Sequence, residues 1–236
     1  MRLIRGLHNI PSDFSGCVAT IGNFDGVHLG HQAILQQLKK QGEEHGLPTV
    51  VMMFEPQPRE FFAPDKAPAR LANMSEKLQD LASFGIDYVL CLPFNQKLRS
   101  MSADQFIQTI LLDGLKISHL IIGDDFRFGC DRTGDYQLLQ QAGEEFGFSV
   151  EDTKTFELDG QRVSSTRVRE CLKANDLDSA NKLLGRPYRM SGRIGYGRQL
   201  GRTIGAPTAN VILQRNKLPM TGVYAVKVVE ISVSAC

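Results

Sequence analysis

No apolar run in the 236 residues approaches the ~18 that a bilayer-spanning helix needs. The longest, Thr49-Val50-Val51-Met52-Met53-Phe54, has the length of a buried strand. The first sixteen residues carry two arginines and no apolar stretch, so a secretory signal is not expected. Cysteine is sparse and scattered: Cys17, Cys91, Cys130, Cys171 and Cys236 form no C-x-x-C. A disulfide framework or zinc site is therefore not expected, and reduced thiols in the cytoplasm are. Charge of one sign is lacking too, since 27 Lys and Arg face 26 Asp and Glu, a net +1. That balance gives no general pull towards nucleic acid or anionic membrane, and no basic stripe interleaves with aromatics. Neither is expected as a partner. Nothing in the sequence speaks to self-association. Gly (22) and Pro (10) are too few for a collagenous or low-complexity chain, and no internal repeat is visible. What remains is ordinary globular composition, 42% hydrophobic and 22% charged, long enough for one large domain or two small ones.

Up to about residue 184, strand-like and helix-like segments alternate. Cys17–Gly22, Thr49–Phe54, Tyr88–Leu92, Leu120–Gly123 and Ser149–Phe156 are predicted strands; Gln32–Glu44, Glu76–Phe84 and Asp135–Phe146 are predicted helices. Ser102 and Gln105, three apart, form a capping box that opens a helix to about Leu112. Apolar strands separated by helices predict a parallel sheet covered on both faces, with ligands beyond the carboxyl ends of its strands. After Leu184 the texture changes. Residues 185–187 read as a linker, and 188–236 as the start of an all-β unit with a strand over Val223–Val229.

The chemistry-bearing segments fall at the predicted strand ends. Gly22-Asn23-Phe24-Asp25-Gly26-Val27-His28-Leu29-Gly30-His31 joins the first of these strands to a helix. Glycines there allow backbone to approach a ligand, and the helix N-terminus offers free N–H groups to phosphate. His28 and His31, three apart, are placed to hydrogen-bond phosphate oxygens as charge builds in a transition state. Phe54-Glu-Pro56-Gln-Pro58 is a proline-stiffened loop. Gly123-Asp-Asp125-Phe126-Arg-Phe-Gly129 places carboxylates and flat rings at a strand end. Val163-Ser164-Ser165-Thr166-Arg167-Val168-Arg169 sets hydroxyls and arginines at a helix start, a phosphate-binding pattern. His8, His45 and His119 lie outside any motif and read as surface or structural residues. No Ser-His-Asp or Cys-His nucleophile pattern is present, so no covalent intermediate is expected.

Together these segments resemble, in order and over essentially the whole chain, the bacterial bifunctional riboflavin kinase/FMN adenylyltransferases, also called FAD synthetases. The resemblance implies a Rossmann-like nucleotidyltransferase domain over 1–184 and an incomplete β-barrel, riboflavin kinase-like segment over 188–236. It implies that His28 and His31 are catalytic, and that Gly22, Asn23, Gly26, Ser164, Ser165, Thr166 and Arg169 surround ATP and its phosphates. Phe54, Pro56, Pro58, Asp125 and Phe126 would border the flavin. Gly192–Asn210 is similar to the opening of the kinase module, where Thr208 and Asn210 would hold Mg²⁺ and ATP phosphates. The implied substrates are ATP, FMN and riboflavin, with Mg²⁺ as cofactor. The family's further barrel strands, its general-base carboxylate and its C-terminal helix have no counterpart after this segment. The 236-residue chain is therefore expected to adenylylate FMN and not to phosphorylate riboflavin. Two alternatives are a non-catalytic flavin- or nucleotide-binding fragment and another H-x-G-H nucleotidyltransferase.

Overall fold

A computed structural model describes residues 1–123, 125–153, 155–197, 205 and 208–229. The chain runs β1 (Arg2–Arg5), β2 (Cys17–Ile21), α1 (Leu29–His45), β3 (Thr49–Glu55), α2 (Pro58–Phe62), α3 (Met74–Ser83), β4 (Tyr88–Pro93), α4 (Gln96–Arg99) and α5 (Ala103–Phe106). The last of these continues as a π-helical segment, Ile107–Gly114, and then follow β5 (Ile117–Ile122), α6 (Tyr136–Phe146), β6 (Ser149–Asp152), the hairpin β7 (Glu157–Leu158) and β8 (Gln161–Arg162), α7 (Ser165–Lys173), α8 (Leu177–Leu184), β9 (Arg193–Gly195) and β10 (Asn210–Ile212).

Six strands form one sheet in the order β1-β4-β3-β2-β5-β6, with every pairing parallel. Because successive strand side chains point to opposite faces, each apolar strand feeds two cores. Ala19, Ile21, Val50, Met52, Leu90, Leu92, Leu120 and Ile122 face one core, under Phe106, Ile110, Leu111 and Leu139. Val18, Val51, Met53, Val89 and Ile121 face the other, under Leu35 and Leu38 of α1 and Leu81 of α3. Strands buried on both faces read as largely apolar, as β2 to β5 do, with Thr20, Thr49, Ser118 and His119 the polar residues within them and Glu55 at the end of β3. The expected doubly covered α/β architecture is therefore what forms.

The helix ends follow their caps. Asn73 and Ser102 each make a complete capping box, with Glu76 and Gln105 as reciprocal partners, and Gly46, Gly147 and Gly185 close α1, α6 and α8 in the left-handed conformation.

Three expectations need correction. The first helix begins at Leu29, three residues before Gln32, because His28 itself caps it. Strand β6 stops at Asp152, well short of Phe156. The Val223–Val229 segment is not a strand: no strand pairs with it among the described residues, and Val223, Val226, Val228 and Val229 are exposed. Among the described residues after α8, only β9 and β10 pair, as an antiparallel ladder. The expected tail Ile231–Cys236 and most of the Gly-rich stretch 198–207 lie outside the described residues.

Candidate active site

Strand order reverses at β2: β3 and β4 lie on one side, β5 and β6 on the other. Open α/β sheets bind ligands in the crevice beyond such a reversal. The turn 22–28 leaves β2 there, and Gly123–Gly129 leaves neighbouring β5.

The turn is built from unusual backbone. Phe24 and Val27 take φ of 46° and 40°, and Gly26 takes 83°. A Cβ on Gly26 would stand 2.9 Å from Leu71 Cδ1, so both conformation and space require glycine there. Gly30 has a different reason. A Cβ on it would lie 3.2 Å from the Val163 carbonyl oxygen, so the glycine lets α1 press against the segment that leads into α7.

His28 caps α1, its Nδ1 accepting the His31 N–H at 3.3 Å. The two imidazoles stack with centroids 3.7 Å apart and planes 17° from parallel, and Phe24 flanks His31 at 4.9 Å. Burial drives the His28 imidazole down to about 4, with Asp25 opposing the shift and Arg169 and Arg162 reinforcing it. Burial first, then the charge His28 would carry if protonated and the charges of Lys77 and Arg169, hold His31 well below the usual histidine range. Both rings are neutral near pH 7. With its Nδ1 occupied as an acceptor, neutral His28 carries its proton on Nε2 and is a donor there. His31 Nδ1 is buried without a partner among the described residues.

Asp25 organises the surroundings. It is 2% exposed. Its carboxylate accepts the Leu71 and Ala72 N–H groups at 3.1 Å and pairs with Arg169 Nη2 at 2.5 Å. Arg169 Nε donates to the Ala69 carbonyl at 2.6 Å, and Ser165 Oγ donates to the Asp25 carbonyl at 3.0 Å. Residues 69–72 then reach the loop after β3. Arg70 binds Glu55 at 2.7 and 3.1 Å and Glu60 at 2.6 and 2.5 Å. One continuous network thus ties the turn, α7 and the proline loop together. Ser164 caps α7 through the Arg167 N–H at 3.2 Å, while Thr166 is exposed.

The structure therefore brings His28, His31, Gly26, Ser165 and Arg169 to one place, with Ser164 and Thr166 at the adjoining start of α7. Gly22 and Asn23 open the turn, and Asn23 is exposed. Phe54 meets Phe94 edge-on at 5.8 Å, Pro56 is exposed, and Pro58 begins α2. Phe126 is half-buried and lies parallel to Phe128 at 5.6 Å, and exposed Asp125 pairs with Arg162 at 3.4 Å. Asp124 lies outside the described residues. Thr208 and Asn210 are exposed, Asn210 at the start of β10 and Thr208 just before it. His119 is buried on β5 between Ser149 and Glu151, as expected of a structural histidine. Asp25 and Arg70 went unnoticed in the sequence. Their partners lie up to 144 residues away, and no spacing rule signals such pairs.

Residues past α8 dock on α3. Arg186 and Arg189 each bind Asp80 at 2.6 Å, and the fully buried Arg215 pairs with Glu76. No helix among the described residues is long and apolar enough to cross a membrane.

Residues 10–167 match the FAD synthetase family model and residues 184–233 the riboflavin kinase model. The bifunctional riboflavin kinase/FMN adenylyltransferase of Pseudomonas fluorescens is 58% identical over 97% of this chain and 73% of its own length. That of Escherichia coli K12 is 53% identical over the same shares of each. A crystal structure described as a macrolide-efflux protein from Streptococcus pneumoniae superposes with a TM-score of 0.75 at 27% identity, covering 90% of this chain and 69% of that one.

Proposed function

The chain belongs to the family of bifunctional riboflavin kinase/FMN adenylyltransferases, and on that premise we propose that it makes FAD by moving the adenylyl group of ATP onto the phosphate of FMN, releasing pyrophosphate. The FMN phosphate is largely dianionic near pH 7, its second pKa being about 6. It needs no general base. An oxygen of that phosphate bonds to the α-phosphorus while the bond to the β-phosphate oxygen breaks, and the electron pair leaves with pyrophosphate. Catalysis then reduces to aligning two anions and offsetting charge as it shifts.

One observation carries the reading: a stacked histidine pair at the N-terminus of α1, in a turn that Asp25 ties to Arg169 on α7. Neutral His28 is set to donate from Nε2 to a phosphate oxygen, in a site where few waters compete. His31 has an unpartnered Nδ1 beside it. Ser164, Ser165 and Thr166 border the same place, and Arg169 sets its shape through Asp25 in addition to supplying charge. Among the described residues no three His, Cys, Asp or Glu side chains are grouped to hold a metal. Mg²⁺ would therefore arrive with ATP, held mainly by phosphate oxygens and water, and would supply charge neutralisation when bound. The Phe54–Pro58 loop and the Asp125–Phe126 segment, at the ends of β3 and β5, would border the flavin.

We further propose that this 236-residue polypeptide does not phosphorylate riboflavin. Riboflavin presents a neutral hydroxyl, which needs a positioned base. Support comes from Thr208 and Asn210, both exposed, Asn210 at the start of a two-stranded ladder and Thr208 just before it, with no enclosing barrel among the described residues. The test is chromatographic, with ATP and Mg²⁺ and either FMN or riboflavin. FAD from FMN and no FMN from riboflavin is the expected result. FMN formed from riboflavin overturns the second proposal. Binding of FMN and ATP with no FAD overturns the first and favours an idle binder.

A further inference from the structure

Lys77 is 1% exposed in the first turn of α3, one of the most deeply buried side chains in the protein. Lysine is rarely buried so completely unless it is paired. Among the described residues its ammonium has neither a hydrogen bond nor an ion pair. The carboxylates in its field are Asp25 and Glu55, and Glu60 also feels it; Arg70 opposes them, and Cys91 lies in the same field. Each of those carboxylates already has a cation of its own: Asp25 has Arg169, and Glu55 and Glu60 share Arg70. Burial accordingly lowers the proton affinity of the Lys77 ammonium.

Its direction follows from its neighbours on the helix. Glu76 and Asp80 take the arginines from past α8. Leu81, four residues after Lys77 and on the same face, packs in the core under α1. Lys77 therefore reaches under the 22–31 turn, where His31 and Asp25 both feel its charge. One buried polar atom without a partner among the described residues lies in that turn, His31 Nδ1. A methionine would fill the same apolar space without the cost of a buried charge, which is several kcal/mol per ion before compensation. Packing alone does not explain a lysine here.

We propose that Lys77 is a further phosphate-binding residue of this site, its ammonium taking oxygens of the ATP polyphosphate, and of the pyrophosphate it becomes, beside His28 and His31. This rests on the adenylyltransferase reading. The anion would supply the partner that the free protein lacks. The rival role is structural: a distant counter-charge to the Glu55–Glu60 pair, which has only Arg70 between two carboxylates.

Lys77→Met and Lys77→Arg separate the two. Steady-state FAD formation gives kcat and the KM for ATP and for FMN, calorimetry gives pyrophosphate affinity, and thermal melting gives stability. The expected result for Lys77→Met is a KM for ATP and a Kd for pyrophosphate each raised about tenfold or more, the loss of one charge-assisted hydrogen bond. The KM for FMN should stay within about twofold, since only the ATP side loses a contact. Melting should be unchanged or raised, and Lys77→Arg should recover part of the loss. A lower melting temperature with unchanged ATP and pyrophosphate parameters overturns the proposal in favour of the counter-charge. A rise confined to the KM for FMN overturns it as well. If the wild-type chain makes no FAD, the calorimetric arm still decides: pyrophosphate bound by wild type and lost in Lys77→Met upholds Lys77 as a phosphate ligand while the reaction assignment fails. Absence of pyrophosphate binding to wild type refutes both.

Discussion

Replacing Asp25 by Asn tests whether one carboxylate joins the histidine turn, the 69–72 segment and α7. The substitution keeps the shape and removes the charge. In the native protein the carboxylate takes two backbone N–H groups at 3.1 Å and Arg169 at 2.5 Å, with the Asp side chain 3% and the Arg side chain 17% exposed. An asparagine has one acceptor oxygen and turns an NH₂ towards groups that only donate. Breaking a buried ion pair by removing one partner costs about 3–5 kcal/mol. Arg169 retains some solvent access, so the lower end, about 3 kcal/mol, is expected. At about 2–4 °C per kcal/mol for a chain of this size, the melting temperature should fall by about 6–12 °C. The assay is thermal unfolding followed by circular dichroism, with urea denaturation as a second measure. Asp25→Asn combined with Arg169→Met removes the stranded cation too, and should recover at least about 1 kcal/mol of the loss. A single variant melting within about 2 °C of wild type, on the same conversion, would refute the structural role assigned to Asp25. So would a double variant no more stable than the single one.

Three further outcomes follow from the same geometry. The His28 imidazole, ordinarily near 6.5, is held to about 4 in the fold, so between those values the unfolded chain binds the proton more tightly and stability rises with pH, levelling off above about 6.5. At about 1.36 kcal/mol per pH unit this amounts to about 3 kcal/mol for His28 alone; melting curves from pH 4 to 8 should show a flatter rise in His28→Gln, and parallel curves contradict the assignment. Gly143→Ala would put a Cβ 2.4 Å from the Phe148 carbonyl oxygen, inside α6 where backbone must give way, and denaturant unfolding should show a loss of about 2 kcal/mol. Arg215→Met strips Glu76 of its buried cation, so stability should fall by about 3 kcal/mol, and limited proteolysis should cut between residues 186 and 229 earlier than in wild type.

Much of this was legible in the sequence because the relevant signals are local. Strands β2 to β5 are buried on both faces and so read as largely apolar runs. Asn73, Ser102, Asp135 and Ser164 each stand where a cap must stand, and each caps its helix. His28 and His31 were found as a motif, and one turn of helix makes them neighbours. What escaped detection was non-local or atypical. β1 (Arg-Leu-Ile-Arg) buries only Ile4 and sits at the sheet edge, so neither run length nor alternation marks it. α8 did carry its signals, Asp176 as cap and Gly185 as stop, in a stretch that reads as the approach to a linker. Val223–Val229 shows the converse: alternation signals a strand only where a neighbouring strand takes up its hydrogen bonds. Asp25 and Lys77 are ordinary residues in the sequence. Their weight comes from burial; the partners of Asp25 lie 46 and 144 residues away.

The most direct test of the histidine turn is a single-turnover measurement of FAD formation by His28→Ala at saturating ATP and FMN, alongside the FMN Kd of the same variant. Loss of one donor aimed at developing charge costs about 100- to 1,000-fold in rate. The expected result is a fall of that size with FMN affinity held within about twofold, a loss confined to the transition state. A variant that forms FAD at the wild-type rate would show that the chemistry takes place without the histidine pair.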